Sequence, residues 1–369
     1  MLYRPFGKTG LEVSALGFGA MRLPEDTDEA VAVLTRAFDQ GVNFLDSARG
    51  YPNSEAKCGK ALKGRREQIV VSTKVPSWIE PVVEGWRERF EESLTALDTS
   101  YIDVLQILHD LKWEAFEKHV APKGKVLDLV TQARDEGLVR YFSFSSHDTP
   151  ENVMKLIDTG VFDAMIVQYN LLDLQYADAI DHACARGMGV VAMGPVGGGR
   201  LAGLSPELAR MALSPSASTP ALALRFVLSN PAVSTAISGM STIQMVDENV
   251  ATASRDDMLS ADEREQVRAA LEEAERIAKL YCTGCRYCMP CPHGVDIPGN
   301  FSLMNYYRVY GLTEYAKTHY AHKPTQREAG DERCRLQASA CVECGECEPK
   351  CPQHIPIIEQ LKETHAALG

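Results

Sequence analysis

Short apolar runs recur along the first 255 residues, and most are followed by a longer segment whose apolar positions return every three or four residues. A short apolar run is typical of a buried strand, and the longer spacing is typical of an amphipathic helix. The first run, Leu16–Gly19, ends in glycine, and a helix is predicted from about Asp28 to Gln40. The predicted strands cover residues 16–19, 42–46, 69–74, 102–109, 139–143, 164–168, 189–193 and 235–237.

Strands that alternate with helices predict a parallel sheet, and eight such units close into a (β/α)8 TIM barrel. An open, doubly wound sheet is the alternative that the same alternation allows. The barrel is assigned to residues 1–258. Ser260 and Glu263 have the spacing of a capping box and predict a connecting helix over residues 259–280. Beyond it the composition shifts to Cys, Pro, Tyr and His, so residues 281–369 are assigned to a second domain with a helical stretch over 300–320.

Charge and cysteine content narrow the function. The net charge of −12 argues against nucleic acid and against an anionic membrane surface as partners. No apolar stretch approaches the roughly 20 residues of a membrane span, and the first residues lack the apolar core of a signal peptide, so a cytoplasmic location is expected. Nine of the eleven cysteines lie between Cys282 and Cys351, and in a reducing compartment such clustering indicates metal ligands rather than disulfides.

Two cysteine motifs make up this cluster. The second, from Cys341 to Pro352, has the C-x2-C-x2-C-x3-C-P spacing of bacterial ferredoxins without deviation. The first, from Cys282 to Pro292, is one residue shorter before its last cysteine. Zinc is the alternative, because C-x2-C pairs also bind zinc. Two motifs that both end in Cys-Pro favour two [4Fe–4S] clusters instead.

The fourth cysteine of each motif in a two-cluster ferredoxin binds the other cluster. This rule assigns Cys351 to the cluster of the first motif and Cys291 to that of the second. The predicted ligand sets are Cys282, Cys285, Cys288 and Cys351 for one cluster, and Cys341, Cys344, Cys347 and Cys291 for the other.

Four polar residues lie at or just after predicted strand ends in the barrel, where barrel active sites are found. Asp46, Lys74 and His109 end the second, third and fourth strands, and Tyr51 follows Asp46. Tyr51 could protonate a carbonyl oxygen while hydride reaches the carbon, with Lys74 lowering its pKa, Asp46 holding Lys74 charged and His109 orienting the oxygen. Packing or helix capping could explain each of these residues if it stood alone. Because all four lie at neighbouring strand ends, a catalytic role is the better explanation.

The stretch from Gly41 to Tyr51, together with Ser72-Thr73-Lys74 and Leu108-His109, resembles the aldo-keto reductase family over about residues 1–255. The resemblance implies an Asp–Tyr–Lys–His tetrad, with none missing here, and reduction of aldehydes or ketones by NAD(P)H bound without a Rossmann fold. It makes Tyr169 the candidate to stack on the nicotinamide ring. The implied cofactor contacts are Ser143, Ser145, Gln168, Tyr169, Asn170, Pro195, Gly197, Gly199, Arg200, Leu201, Gly239, Ser241, Gln244, Glu248 and Asn249.

The sequence says less about which dinucleotide and which substrate the barrel would bind than about its tetrad. Family members that prefer NADPH usually carry Lys or Arg near its 2′-phosphate in the last segment, but no basic residue occurs between Arg225 and Arg255. A strong preference for NADPH is therefore not expected. Met21, Trp78 and Trp113 follow predicted strands and are candidates for an apolar pocket, although ordinary packing explains each equally well. A small-molecule carbonyl compound is the expected substrate.

The whole chain resembles the bacterial branch of aldo-keto reductases fused to a ferredoxin-like domain, and its last part resembles α-helical dicluster modules. A nicotinamide passes two electrons as hydride, whereas a [4Fe–4S] cluster passes one at a time, so direct exchange between them is awkward. In one hypothesis the barrel is a nicotinamide-dependent carbonyl reductase, and the clusters are structural or connect to an outside partner. In a second, the barrel holds a flavin such as FMN, and the clusters feed it single electrons from ferredoxin. In a third, the chain is a non-catalytic electron-transfer subunit, which the intact tetrad disfavours.

Overall fold

The structure, a computed structural model, describes residues 1–77, 79, 81–171, 173–196, 218–256, 258–277, 282, 288–308, 311–326, 334–351 and 355–369. These residues fall into two compact units. One comprises the described residues up to 196 and from 220 to 260, and the other comprises residues 218 and 219 and those from 261 onward. Within the described ranges, none of the helices is both long and apolar enough to cross a membrane.

Eight parallel strands of the first unit form a closed barrel. In chain order the strands of this unit are β1 (Tyr3–Pro5), β2 (Glu12–Ser14), β3 (Leu16–Gly19), β4 (Phe44–Asp46), β5 (Val70–Lys74), β6 (Ile102–Gln106), β7 (Val139–Ser145), β8 (Ala164–Gln168), β9 (Gly189–Met193) and β10 (Thr235–Ser238). The barrel runs from β3 to β10 in sequence order, and β10 pairs with β3 to close it. The predicted barrel is confirmed, and the open sheet is excluded.

Helices alternate with the barrel strands, and polar caps fix where several of them begin. Asp26 accepts hydrogen bonds from the backbone N–H groups of Asp28 and Glu29, both at 2.9 Å, and thereby satisfies donors that the first turn leaves unpaired. Thr149 and Thr242 cap two later helices in the same way. The helices of eight or more residues in this unit are Thr27–Asp39, Ser54–Leu62, Trp86–Ala96, Val126–Asp135, Pro150–Asp158, Ala177–Ala185, Thr219–Leu228 and Ile243–Ala253, as far as the described residues go.

Alternate residues of each barrel strand point inward, because side chains alternate between the two faces of a strand. The inward positions at mid-barrel are apolar and include Phe44, Val70, Val104, Ile166 and Val191. Two residues further along the same strands, the inward positions are Asp46, Ser72, Gln106, Gln168 and Met193. The alternation that fills the core therefore also places polar groups at the carboxyl ends of the strands, which we call the mouth.

The opposite end of the barrel is closed by an N-terminal hairpin that the sequence analysis did not predict. Strands β1 and β2 pair antiparallel, and the fully buried Phe6 and Val13 join the apolar core of the barrel. The ring of Phe6 lies 5.5 Å from that of Phe44. Gly189 is required at the start of β9, because a Cβ atom there would lie 2.8 Å from the Phe6 ring.

The second unit is mainly helical, as predicted. Its stretch over residues 300–320 is divided between two helices, because the chain turns at Gly311, whose φ is 62°. The helix predicted as a connector, Ala261–Ile277, groups with this unit. Phe301, Tyr320 and Leu361 are each 1% exposed and form part of its core. The other helices are Ile297–Arg308, Thr313–Ala321 and Ile357–Leu368.

Candidate active site and cysteine cavity

A buried ion pair lies at the barrel mouth. Lys74 Nζ donates to Asp46 Oδ2 at 2.7 Å and to the carbonyl oxygen of Ser47 at 2.9 Å. Asp46 ends β4 and lies opposite Ser72 on β5, so the inward-facing Lys74 reaches back across the ladder. Removing two charges from water is costly, and such a pair is stable only when its remaining lone pairs also find partners.

Gln106 and Ser72 provide those partners for Asp46. Gln106 Nε2 donates to Asp46 Oδ1 at 2.7 Å, and the Ser72 hydroxyl donates to the same oxygen at 3.1 Å. Gln106 is fully buried, and within the described residues its Oε1 has no hydrogen-bond partner. The sequence analysis missed both residues. Strand alternation would have identified both residues. Ser72 and Gln106 lie two positions after Val70 and Val104 and therefore point to the same, inward face.

Tyr51 and His109 lie beside this pair. The rings of Tyr51 and His109 meet edge to face, with centroids 5.8 Å apart, and Lys74 Nζ lies 5.2 Å from the centroid of the Tyr51 ring. His109 does not end a strand as expected, because β6 stops at Gln106. Its backbone N–H donates to Val75 at 2.8 Å, which fixes the loop beyond β6 against the end of β5. The structure thus brings all four predicted tetrad residues together.

The electrostatics of this group differ from the expectation in one respect. Burial, followed by the negative charge of Asp46, raises the pKa of Tyr51, whereas the sequence analysis expected Lys74 to lower it. Burial is the dominant cause, and Lys74, which is paired with Asp46, does not offset its effect on the pKa of Tyr51. Burial and the positive charge of Lys74 lower the pKa of His109 to about 4. Near neutral pH the site therefore presents a protonated phenol beside a neutral imidazole, which suits transfer of a proton to a substrate oxygen.

Several predicted cofactor contacts lie at the same mouth. Ser145 ends β7, and its hydroxyl accepts from the backbone N–H of Asp110 at 3.3 Å. Ser143 lies one inward step deeper and is fully buried. Gln168 donates to Asp173 at 2.8 Å, and Asn170 donates to the carbonyl oxygen of Gly194 at 2.9 Å. These side chains form a row of neutral hydrogen-bonding groups from β7 to β9.

Tyr169 does not lie where stacking on a nicotinamide ring would require. It is 4% exposed, its ring packs on that of Phe226 at 5.9 Å, and its hydroxyl accepts from Asn230 at 3.4 Å. Gln168 points inward, so the next residue must point outward into the helix layer. This placement does not support the assignment of Tyr169 to the cofactor.

The loop after β10 and the helix that follows contain the remaining contacts. Gly239 is exposed at the start of this loop. Asn249 donates to the Ser238 hydroxyl at 3.2 Å, and Gln244 donates to Glu248 at 2.8 Å on the helix Ile243–Ala253. The Ser241 hydroxyl contacts Met245 Sδ at 3.6 Å. Pro195 is buried just beyond β9, whereas Gly197, Gly199, Arg200 and Leu201, like Trp78, lie outside the described residues.

In the second unit, backbone pairing joins the segments that carry the two cysteine motifs. Val295 forms a parallel bridge with Leu336, and the Leu336 N–H donates to Gly294 at 3.0 Å. Asn300 adds a side-chain bond to the carbonyl oxygen of Leu336, also at 3.0 Å. Since Gly294 follows Cys291 and Leu336 precedes Cys341, this pairing draws the end of the first motif towards the start of the second.

The result is a cavity that cysteines from both motifs line. Cys341, Cys344 and Cys347 come from the second motif, and Cys288 and Cys291 come from the first. Burial, with the charges of Glu348, Cys341 and Cys288 adding to it, raises the pKa of Cys347 to about 11. Within the described residues, no three potential ligands converge on one point as they would for a single metal ion. Cysteines spread around a cavity are the donor set of a cluster, in which each thiolate binds a different iron.

This cavity contains the full predicted ligand set of one cluster, including Cys291 from the other motif. For the second predicted set, Cys282, Cys288 and Cys351 are partly buried, and Cys285 lies outside the described residues. Cys334, which has no predicted role, donates through its thiol to the carbonyl oxygen of Cys291 at 3.4 Å. The assignment of individual cysteines to clusters stays a prediction.

Comparison with known proteins agrees with both halves of this description. The aldo/keto reductase family profile matches residues 15–272, which is most of the chain. The chain belongs to the aldo/keto reductase family. Its relatives include L-galactose dehydrogenase from Arabidopsis thaliana, which is 29% identical over 308 residues that cover 74% of this chain and 95% of that protein. An uncharacterized oxidoreductase of Bacillus subtilis (strain 168), YqkF, is 27% identical over 69% of this chain and 91% of its own length.

Among solved structures, this aldo/keto reductase is similar to AKR11C1 from Bacillus halodurans in its holo form. The TM-score is 0.64 and the identity 30%, over 73% of this chain and 96% of that one. A separate profile, that of the 4Fe–4S dicluster domain, matches residues 281–355. The protein is therefore an oxidoreductase of the aldo/keto reductase family that carries a 4Fe–4S dicluster domain.

Proposed function

We propose that the barrel reduces an aldehyde or ketone with hydride from a nicotinamide dinucleotide, and that the second unit carries single electrons through two [4Fe–4S] clusters. The observation that supports the first part is the Tyr51 phenol held beside the Lys74–Asp46 pair and the His109 ring. The observation that supports the second is the cavity lined by cysteines of both motifs.

Tyr51 is the proton donor in this proposal. Its pKa is raised by burial and by Asp46, so it keeps its proton at neutral pH until negative charge develops on the carbonyl oxygen. His109, whose pKa is lowered to about 4, is neutral and orients the same oxygen by a hydrogen bond. Lys74 lies 5.2 Å from the Tyr51 ring centroid and stabilises the phenolate that remains. When bound, the nicotinamide supplies hydride.

The residues at the mouth suit that dinucleotide. A carboxamide needs neutral donors and acceptors, and Ser145, Gln168 and Asn170 provide them on neighbouring strand ends. Gly239 and Ser241 lie in the loop where phosphates would bind, ahead of a capped helix N-terminus whose dipole favours anions. We assign Gln244, Glu248 and Asn249 to the adenosine end. With no basic residue between Arg225 and Arg255, NADH serves as well as NADPH.

The substrate side of the mouth is apolar. Met21 after β3 is 64% exposed, and Ile79 after β5 is 45% exposed. Trp113, after β6, stacks on Phe116 at 5.5 Å. These side chains fit a small carbonyl compound with an apolar group next to the reacting carbon. In the reverse reaction, the oxidation of an alcohol, the ionised Tyr51 would accept the proton of the hydroxyl group; the plant relative is named a dehydrogenase.

The cysteine unit suits one-electron exchange with an outside partner such as ferredoxin. Hydride carries two electrons and each cluster carries one, so the two chemistries connect most directly through a flavin. A flavin-containing barrel is therefore the second candidate function. Anaerobic purification followed by quantification of iron, sulfide and FMN distinguishes them, because bound FMN would favour the flavin.

Replacing the proton donor tests the proposal for the barrel. Tyr51→Phe should lower turnover of an aldehyde about 10²–10⁴-fold while dinucleotide binding changes little, because the hydroxyl acts mainly in the transition state. Tyr141→Phe is the matched control, since it removes a hydroxyl that bonds the carbonyl oxygen of Thr9 in the hairpin loop that closes the far end. Turnover by Tyr51→Phe at the rate of the parent would remove Tyr51 from this role.

A further inference from the structure

Two loops far apart in sequence meet beside the proposed cofactor site. Strands β3 and β10 are neighbours, with Phe18 opposite Ser238, so the loops that follow them leave the mouth side by side. A Cβ atom on Gly19 would lie 3.6 Å from the Ser238 carbonyl group. A Cβ atom on Gly239 would lie 3.7 Å from both Cβ and Cδ of Arg22. The aliphatic stem of Arg22 therefore lies along Gly239.

The guanidinium group of Arg22 is available for a ligand. The residue is exposed at the end of the short 3-10 turn Ala20–Arg22. In the part of the chain that the structure describes, Arg22 forms neither an ion pair nor a side-chain hydrogen bond.

The acidic side chains of the neighbouring helix already have other partners. Asp247 accepts from Arg36 at 2.8 Å and from Gln40 at 2.5 Å, and Glu248 accepts from Gln244 at 2.8 Å. Among the described residues, a cation thus lies against an exposed glycine and forms an ion pair with no carboxylate. This arrangement fits an anion that approaches the backbone at Gly239.

We propose that Arg22 binds a phosphate of the dinucleotide at the loop Ser238–Ser241. The inference rests on the proposed function and extends it, because it adds the cation that the segment between Arg225 and Arg255 lacks. An arginine presents several N–H donors in a fixed fork that matches phosphate oxygens. The helix N-terminus alone would supply only partial charge.

The position of Arg22 indicates which phosphate it meets. Gly239 directly follows β10 at the mouth, whereas the side chains assigned to adenosine, Gln244 and Glu248, lie on the helix beyond it. Arg22 is therefore placed at the pyrophosphate, which NADH and NADPH share. A cation at the pyrophosphate strengthens binding of both dinucleotides equally, so it agrees with the absence of a strong preference for NADPH.

The test is the binding of each dinucleotide to the full chain, purified without oxygen and titrated by fluorescence. Arg22→Gln should raise the dissociation constants of NADH and NADPH alike, by about tenfold to a hundredfold. Arg22→Lys should recover part of the loss, since it keeps the charge without the fork. The control is Arg87→Gln, which makes the same change of charge on an outer helix, where Arg87 pairs with Glu91 and Glu136.

Each contrary result has a distinct meaning. Unchanged dissociation constants in Arg22→Gln would overturn the inference and leave the proposed reduction intact. A loss confined to NADPH would overturn the pyrophosphate placement and assign Arg22 to the 2′-phosphate. A raised KM for an acidic carbonyl compound, with dinucleotide binding unchanged, would overturn the inference and assign Arg22 to the substrate. A parent protein that binds neither dinucleotide would overturn the proposed function itself.

Discussion

The barrel and the cysteine unit hold their reactive groups in opposite ways. In the barrel, Asp46, Lys74 and Gln106 lie on the ends of hydrogen-bonded strands, nearly or fully buried, and they bond to one another. In the cysteine unit, Cys341, Cys344 and Cys347 lie outside helices and strands; Cys344 is exposed and the other two are partly buried. The first arrangement is complete without a ligand, whereas the second brings sulfur atoms together around a cavity.

This difference shows what each region needs in order to keep its shape. The charges of Asp46 and Lys74 neutralise each other, so the barrel site is stable before any cofactor arrives. Thiolates crowded around a cavity repel one another until a metal neutralises them, which couples metal binding to folding. Burial raises the pKa of Cys347, and the charges of Glu348, Cys341 and Cys288 add to this effect. The two regions should therefore respond differently when metals or single side chains are removed.

The largest expected effect is the loss of one region and the survival of the other. Chelating the iron should make residues 281–369 sensitive to protease, because the cysteine unit loses its clusters. The barrel should keep its fold, because its core is independent of metal. Limited proteolysis follows the first change. Tryptophan fluorescence follows the second, since Trp78, Trp86 and Trp113 all lie in the barrel sequence.

Either of two results would weaken this contrast. A metal-free cysteine unit that resists protease would show that its core, around Phe301 and Tyr320, is sufficient for folding, and the clusters would then serve electron transfer alone. A colourless, zinc-containing protein from anaerobic expression would refute the iron–sulfur assignment.

Next in size is the loss of one cluster out of two. If ligation is crossed, Cys351→Ser should perturb the cluster held by Cys282, Cys285 and Cys288, while the cluster at Cys341, Cys344 and Cys347 survives. The measurement is electron paramagnetic resonance of the reduced protein. Cys334→Ser is the matched control, because Cys334 contacts a backbone carbonyl and belongs to neither predicted set. Two intact clusters in Cys351→Ser would show that Cys351 is not an essential ligand.

A smaller effect is expected on the free energy of unfolding, which should fall more when a buried ion pair is broken than when an exposed one is. Lys74→Met leaves Asp46 as an unpaired buried charge and should lower the free energy of barrel unfolding by about 3–5 kcal/mol. Arg36→Met breaks the exposed pair with Asp247 and should leave the free energy of unfolding nearly unchanged. The side chains of Arg36 and Asp247 are 48% and 43% exposed, against 4% for each member of the buried pair. Denaturant titration followed by tryptophan fluorescence compares them. Equal losses would mean that Gln106 and Ser72 stabilise Asp46 without Lys74.

The smallest expected effect is the pH dependence of turnover. Tyr51 loses its proton only above its ordinary pKa of about 10, and His109 gains one only as the pH falls towards about 4, so the rate should be nearly flat between about pH 6 and 9. A steady-state pH profile with one aldehyde measures this. A fall in rate between about pH 7 and 9 would mean that Lys74 lowers the pKa of Tyr51 in the loaded enzyme after all.

Much of the barrel could be predicted because each strand is a local signal. The runs around Val70 and Val104 are apolar over their own length, and their polar ends mark the mouth. The residues at those ends then meet because parallel strands align their carboxyl ends, which is how Asp46 and Lys74 come together.

The features that the sequence analysis missed depend on tertiary packing or on which face of a strand a residue occupies. The hairpin with Phe6 is short, and only the closed barrel makes its burial necessary. Tyr169 packs on Phe226 rather than facing the mouth, because its neighbour Gln168 occupies the inward position. His109 follows β6 by three residues, so a loop rather than a strand positions it. Arg22 reaches Gly239 only because the last strand pairs with the first.

The N-terminal hairpin closes one end of the barrel, so the barrel interior is open only at the mouth. Phe6 and Val13 fill that end with side chains, so nothing can reach Lys74 from below. In the proposed function, substrate, product and dinucleotide would all enter and leave by the mouth. If one opening serves all three molecules, they must bind and dissociate in a fixed order. The rate of product or dinucleotide release then sets an upper limit on turnover.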